Sequence, residues 1–199
     1  MKKIQLVLFD LGNVLVRFTP ESFWKELKLG QNQRALFVKG VKEAADRFEC
    51  GKINTSRFFD DLEQVFGGQF RREHIRRAVS SVLTDPIAEM EPLVARVTQR
   101  CETALVSNTN EFHYRYCMDT VPALKMLPKH YLSYKLGVMK PDRSFYEKVL
   151  RDADIQPEAA LFIDDVADNV EGARSVGMKF ILFKSASSLE DALRQHDVL

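Results

Sequence analysis

The sequence predicts an α/β fold in which a parallel sheet is interrupted, after its first strand, by a bundle of helices. Three observations point there. The apolar run Leu6-Val7-Leu8-Phe9 has the length and character of a strand covered on both faces. From about Pro20 to Leu83 every segment carries helical rather than strand periodicity. Beyond Asp85 helices and strands alternate, the grammar of a parallel sheet with right-handed crossovers.

Within the helical stretch, "PESFWKELKL" opens with Pro in a first-turn position. "NQRALFVKGVKEAADRFE" repeats Leu36, Phe37, Val41, Ala44, Ala45 and Phe48 at helical spacing. "NTSRFFDDLEQVF" begins with capping residues and stops at Gly67-Gly68. "FRREHIRRAVSSVL" places Phe70, Ile75, Val79, Val82 and Leu83 on one face. Four short amphipathic helices in succession read as a small bundle. After it, "PIAEMEPLVARVTQR" reads as a helix, "ETALVSN" as a strand, "NEFHYRYCMD" as a helix and "KHYLSYKLGVMKP" as a short strand and loop. "DRSFYEKVLRDA" is helical, "AALFIDD" a strand, "VADNVEGARSVG" a helix, "KFILF" a strand and "SSLEDALRQH" a closing helix. The expected organisation is a Rossmann-like core of residues 1–16 and 84–199 with a helical cap at 17–83.

Composition narrows the function. Twenty-nine Lys and Arg against 28 Asp and Glu leave a net charge of +1, so no general attraction to nucleic acid or anionic membranes is expected. The apolar start meets Asp10 too soon for a signal peptide or a membrane span. Cys50, Cys101 and Cys117 lack metal-ligand spacing and read as reduced thiols of a cytoplasmic protein. The four histidines form no zinc pattern. "NTS" at 54–56 matches a glycosylation acceptor but reads as a helix start. Arg71, Arg72, Arg76 and Arg77 read as a solvated helix face rather than an anion site, and Trp24, Phe58 and Phe59 as bundle core. Oligomeric state is not encoded in any motif.

The informative feature is where polar residues stop the apolar strands. The first ends at Asp10, "ALV" at Ser107-Asn108, "LFI" at Asp164-Asp165, and Lys140 follows "YLSYKLGVM". Singly, each is often a cap or a turn residue. In a parallel sheet all these ends share one edge, where ligands bind. Clustered carboxylates repel and need a cation among them. Mg²⁺ suits oxygen ligands and phosphate, Ser107 and following N–H groups can donate to phosphate, and Lys140 supplies positive charge. One carboxylate can then attack phosphorus, giving an aspartyl-phosphate that water hydrolyses.

In order and spacing, "FDLGNVLV", "LVSNTN", "GVMKPD" and "FIDDVADNVEGARSVGM" resemble the four motifs of the haloacid dehalogenase superfamily of hydrolases, and the helical insertion resembles its C1-type cap. The match runs over nearly the whole chain and is especially similar to small bacterial sugar-phosphate phosphatases. The resemblance implies Asp10 as nucleophile and Mg²⁺ ligand, the Gly12 carbonyl as a second ligand and Asp165 as a direct carboxylate ligand. It implies that Asp164 supports the metal directly or through water, that Ser107 and Asn108 hold phosphate, and that Lys140 bridges phosphate and Asp10. For Asn169 the resemblance implies that it orients a metal-bound water, with helix capping as the competing reading.

One position departs from that pattern. Phosphatases of the superfamily carry a second Asp two residues after the nucleophile, as general acid and base, and here Gly12-Asn13 stands instead. Such a group is worth about 10²–10⁴-fold in rate. Three readings follow: an easier leaving group, such as the anomeric oxygen of a sugar 1-phosphate, or a donor from the cap or nearby loops, with Arg17, Glu49, Lys52 and His74 as candidates; a 2-haloacid dehalogenase chemistry that needs no leaving-group proton; or a weakly catalytic phospho-ligand binder. A Mg²⁺-dependent phosphatase of small phosphorylated metabolites is the expected function.

Overall fold

The computed structural model describes residues 3–199. Five strands form a parallel sheet: β1 (Leu6–Phe9), β4 (Glu102–Ser107), β5 (Lys129–Leu132), β6 (Ala160–Asp164) and β7 (Lys179–Leu182), in the order β5-β4-β1-β6-β7. β1 is central, in register with β4 through Phe9 and Leu105 and with β6 through Phe9 and Ile163. Its four residues are all buried, which is why they read as one apolar run. Helices cover both faces: Val7 and Phe9 belong to one apolar cluster, Leu6 and Leu8 to another.

Between β1 and β4 the chain makes α1 (Glu21–Glu26), α2 (Gln31–Glu49), α3 (Thr55–Val65) and α4 (Arg72–Ser80). Phe48 stacks on Phe58 at 4.5 Å, and Phe59 and Leu62 are fully enclosed, so the aromatic residues are core. Asn54 caps α3, its side chain accepting from the Arg57 N–H at 2.9 Å. The arginines of α4 face solvent and protein together. Arg72 pairs with Asp60 and Glu63, while the Arg76 guanidinium lies 4.9 Å from the centroid of Phe59.

The sequence pattern did not reveal the pair of strands that brackets these helices. β2 (Val16–Phe18) runs antiparallel to β3 (Leu83–Pro86), joining the places where the chain leaves and rejoins the core. Each has one buried residue, so neither shows an alternating pattern. They correct the expected helices, since α4 ends at Ser80 and α5 (Met90–Thr98) starts four residues after Pro86. The expected boundaries at 16/17 and 83/84 fall within this pair. The remaining helices are α6 (Glu111–Thr120), α7 (Ser133–Leu136), α8 (Arg143–Ala153), α9 (Ala167–Ser175) and α10 (Ala186–Gln195), with 3₁₀ turns at Pro122–Met126 and Pro157–Ala159. No described helix is long and apolar enough to cross a membrane, and all three cysteines are free thiols.

One close approach fastens the inserted helices to the sheet. Just past α2, Gly51 has φ +67° and lies against the carbonyl of Tyr134 in α7, where a Cβ would sit 2.0 Å from the oxygen. Only glycine fits both the left-handed angle and the space. Gly51→Ala is therefore expected to destabilise the protein by about 2 kcal/mol, from backbone strain and enforced separation. Denaturant titration of the two proteins measures this.

Candidate active site

The ends of β1, β4 and β6 meet at one edge, as the parallel topology requires, and open into a cleft of about 220 Å³. Asp10, Gly12, Ser107, Asn108, Lys140 and Asp165 all line it, with Asn13, Glu49, His113 and Asn169 among the other lining residues. Asp164 lies directly beneath, fully buried.

Lys140 is the hub. Its Nζ donates to Asp10 Oδ1 and to Asp164 Oδ2, both at 2.6 Å, and to the Val106 carbonyl at 3.3 Å. Burial opposes charge on the ammonium, but Asp10 and Asp164 outweigh it and hold Lys140 above its ordinary pKa. Asp10 feels the converse. Burial pushes its carboxyl up to about 7, Asp164 adds to the rise and Lys140 opposes it.

The loop carrying Lys140 is clamped from two sides. Asn108 donates through Nδ2 to the Lys140 carbonyl and accepts the Lys140 N–H at Oδ1, both at 2.8 Å. On the other side, Gly172 of α9 packs so closely that a Cβ would lie 2.7 Å from the Pro141 carbonyl. The Lys140–Pro141 peptide bond is cis. Thus the Asn108 amide, expected at the phosphate, is already engaged with the lysine loop. Ser107 is buried at the end of β4 with only a long contact, 3.4 Å, to the Asn108 carbonyl.

Asp164 has both oxygens engaged. Oδ1 accepts from the Val166 N–H at 2.8 Å and Oδ2 from Lys140, while Asn169 Nδ2 reaches both at 3.1 Å. Asp165 is half-buried and accepts from Asn13 Nδ2 at 3.0 Å. Asn13 adopts φ 53° and also accepts the Phe18 N–H at Oδ1, tying the turn after β1 to β2 and β6. Sequence reasoning saw only turn tolerance in Asn13; its link to Asp165 follows from folding, although a Gly-Asn turn after the strand was the available signal. Thr109 is held by Ser133, whose Oγ accepts its N–H at 2.9 Å and donates to its carbonyl at 3.0 Å.

Carboxylate oxygens of Asp10, Asp164 and Asp165 all lie within 4.8 Å of one another. Against three carboxylates the described site offers one ammonium, so the donor set is oxygen-only and net negative. That is the chemistry of a hard divalent cation site of the Mg²⁺ type. Removing the ammonium strands two buried carboxylates. Lys140→Met is accordingly expected to cost about 3–5 kcal/mol of stability. A denaturation curve that matches the unsubstituted protein would refute the hub assignment.

Comparison with known proteins matches this architecture. The model of the haloacid dehalogenase-like hydrolases fits residues 4–177. A D-ribitol-5-phosphate phosphatase of Bacteroides thetaiotaomicron is 22% identical over 185 residues, covering 88% of this chain and 90% of that protein. A crystal structure of a haloacid dehalogenase family enzyme from the same organism superposes with a TM-score of 0.87 at 27% identity, covering 97% of this chain and all of that one. A structure of the wild-type form of such an enzyme, in complex with magnesium and inorganic phosphate, gives a TM-score of 0.78 at 26% identity over 92% of this chain and 95% of that one. With the family model spanning residues 4–177 and the fold shared with an enzyme of that family, the chain belongs to the haloacid dehalogenase-like hydrolases.

Proposed function

We propose that the chain is a Mg²⁺-dependent phosphatase of small phosphorylated metabolites, sugar phosphates among them, working through an aspartyl-phosphate on Asp10. The observation that carries this reading is the buried Asp10–Lys140–Asp164 arrangement facing a small cleft beside Asp165. The B. thetaiotaomicron relatives support it, one named as a ribitol-phosphate phosphatase and one crystallised with magnesium and phosphate.

Asp10, Asp165 and the Gly12 carbonyl would hold the ion, and Asp164, its oxygens occupied by Lys140, Val166 and Asn169, would support it from behind. When bound, Mg²⁺ supplies charge that lowers the carboxyl pKa values and draws electrons from the phosphoryl oxygens. Asp10 attacks phosphorus, and Lys140 keeps the attacking carboxylate ionised and oriented. Ser107 donates to a phosphoryl oxygen through its hydroxyl, and Asn108 through its backbone N–H, while the Asn108 side chain keeps Lys140 in place. Water then cleaves the Asp10–phosphoryl bond, releasing phosphate and restoring the carboxylate.

A panel containing ribitol 5-phosphate, hexose 1- and 6-phosphates and 4-nitrophenyl phosphate is expected to yield inorganic phosphate with Mg²⁺ present and none after chelation. Asp10→Asn is expected to lose at least about 10³-fold in kcat, since a carboxamide is no nucleophile. Absence of turnover across the panel would sink the reading, and metal-independent halide release from 2-chloropropionate would replace it with dehalogenation.

A further inference from the structure

We infer that Glu49, at the end of α2, is the proton donor and acceptor that replaces the Asp missing at position 12. The inference rests on the phosphatase reading and names a residue for it.

Position 12 offers no proton. Of the candidates the sequence raised, only Glu49 lines the cleft of Asp10, Lys140 and Asp165. Lys52 lines a separate cavity beside Tyr134. His74 lines another and bonds the Glu26 carbonyl. Arg17 is exposed on β2 and is not among the cleft residues.

Elimination within the cleft gives the same answer. Its titratable lining residues are Asp10, Glu49, His113, Lys140 and Asp165. Asp10 and Lys140 are bonded to each other and Asp165 to Asn13. His113 uses both ring nitrogens, Nε2 on the Val79 carbonyl at 2.9 Å and Nδ1 on the Asn110 amide at 3.1 Å. Burial also lowers its pKa, disfavouring charge on the ring. Glu49 is different. No described residue hydrogen-bonds or ion-pairs with its carboxylate, and its neighbour Arg47 pairs instead with Asp61 at 3.0 Å. Burial pushes the Glu49 carboxyl up to about 7, assisted by Asp46 and opposed by Lys42, so near neutral pH it can both give and take a proton.

Its place is fixed by packing on both sides. Phe48 is stacked on Phe58 within the bundle, and Gly51 abuts the Tyr134 carbonyl of the core. A residue between two such anchors is held over the cleft rather than left on a mobile arm.

The chemistry balances. As Asp10 bonds to phosphorus and the P–O bond to the leaving group breaks, protonated Glu49 gives its proton to the departing oxygen, which leaves as an alcohol. The resulting carboxylate takes a proton from the water that attacks the aspartyl-phosphate. Phosphate departs, Asp10 is regenerated as a carboxylate, and Glu49 is protonated again.

The test compares the wild-type protein with Glu49→Gln, Glu49→Asp and the double variant Gly12→Asp/Glu49→Gln. The substrates are 4-nitrophenyl phosphate and the panel's best alkyl phosphate. For Glu49→Gln, kcat on the alkyl phosphate is expected to fall about 10²–10⁴-fold with little change in KM. A rapid-mixing burst of 4-nitrophenol, whose leaving oxygen needs no proton, should persist and then stall at the phosphoenzyme. Glu49→Asp should keep part of the rate. The double variant should regain at least tenfold, because a Cβ at position 12 meets only ordinary contacts, the nearest Phe18 Cβ at 3.5 Å. Turnover of both substrates by Glu49→Gln within threefold of wild type overturns the assignment, as does loss of the burst in a Glu49→Gln protein with unchanged thermal melting. Should Glu49→Gln fail to fold, Glu49→Asp decides, and wild-type-like melting with a rate no better than Asp10→Asn overturns it. Silence of the wild-type protein on every substrate instead removes the phosphatase reading, and the assignment with it.

Discussion

The contact on which the site depends is the Lys140 ammonium lodged between Asp10 and Asp164, 2.6 Å from an oxygen of each. All three side chains are buried, and a lone charge in such a place is very costly. Together they are tolerable, because each carboxylate accepts a hydrogen bond from the ammonium and the remaining lone pairs of Asp164 are met by Asn169 and Val166. The surrounding structure is arranged to keep that match. Asn108 grips the backbone of Lys140, Gly172 lets α9 approach the same loop, and Tyr146 donates to the Asn169 carbonyl at 2.6 Å. The Asn108 side chain, which the sequence suggests as a phosphate ligand, thus positions the lysine loop.

The remaining imbalance is what makes the site reactive. One ammonium does not neutralise Asp10, Asp164 and Asp165, and Asp10 rises in pKa as a result of burial and its acidic neighbour. In the proposed reaction a divalent cation would remove that penalty and leave Asp10 ionised at neutral pH. Stability and the proposed chemistry therefore draw on the same charges.

Much of this was legible in the chain. β1, β4 and β6 are apolar runs ended by polar residues, and parallel topology alone brings those ends together. The long helices declared themselves through caps and period, as Asn54 shows for α3. What was not legible shares a physical cause, dependence on contacts distant in sequence. β2 and β3 exist because they pair with each other, not because either has a strand pattern. Asn13 gains its bond to Asp165 only when β1 and β6 are neighbours. Glu49 is one of four donor candidates in the sequence, and only the docking of the helical segment on the core through Gly51 separates it from Arg17, Lys52 and His74 by setting it in the cleft that Asp10 also lines.

The short antiparallel pair of β2 and β3 has a wider consequence. It brings the two ends of the helical segment side by side, so the sheet sees a closed junction whatever lies beyond it. The partners of β1 in the sheet, β4 and β6, both follow that segment in the chain, and their register does not depend on its length. Such a segment can be exchanged or reshaped by evolution while the carboxylates and the lysine stay where they are. With the proposed proton source, Glu49, carried on the exchangeable part, a change of helices would alter the shape of the cleft and its acid–base chemistry in a single step.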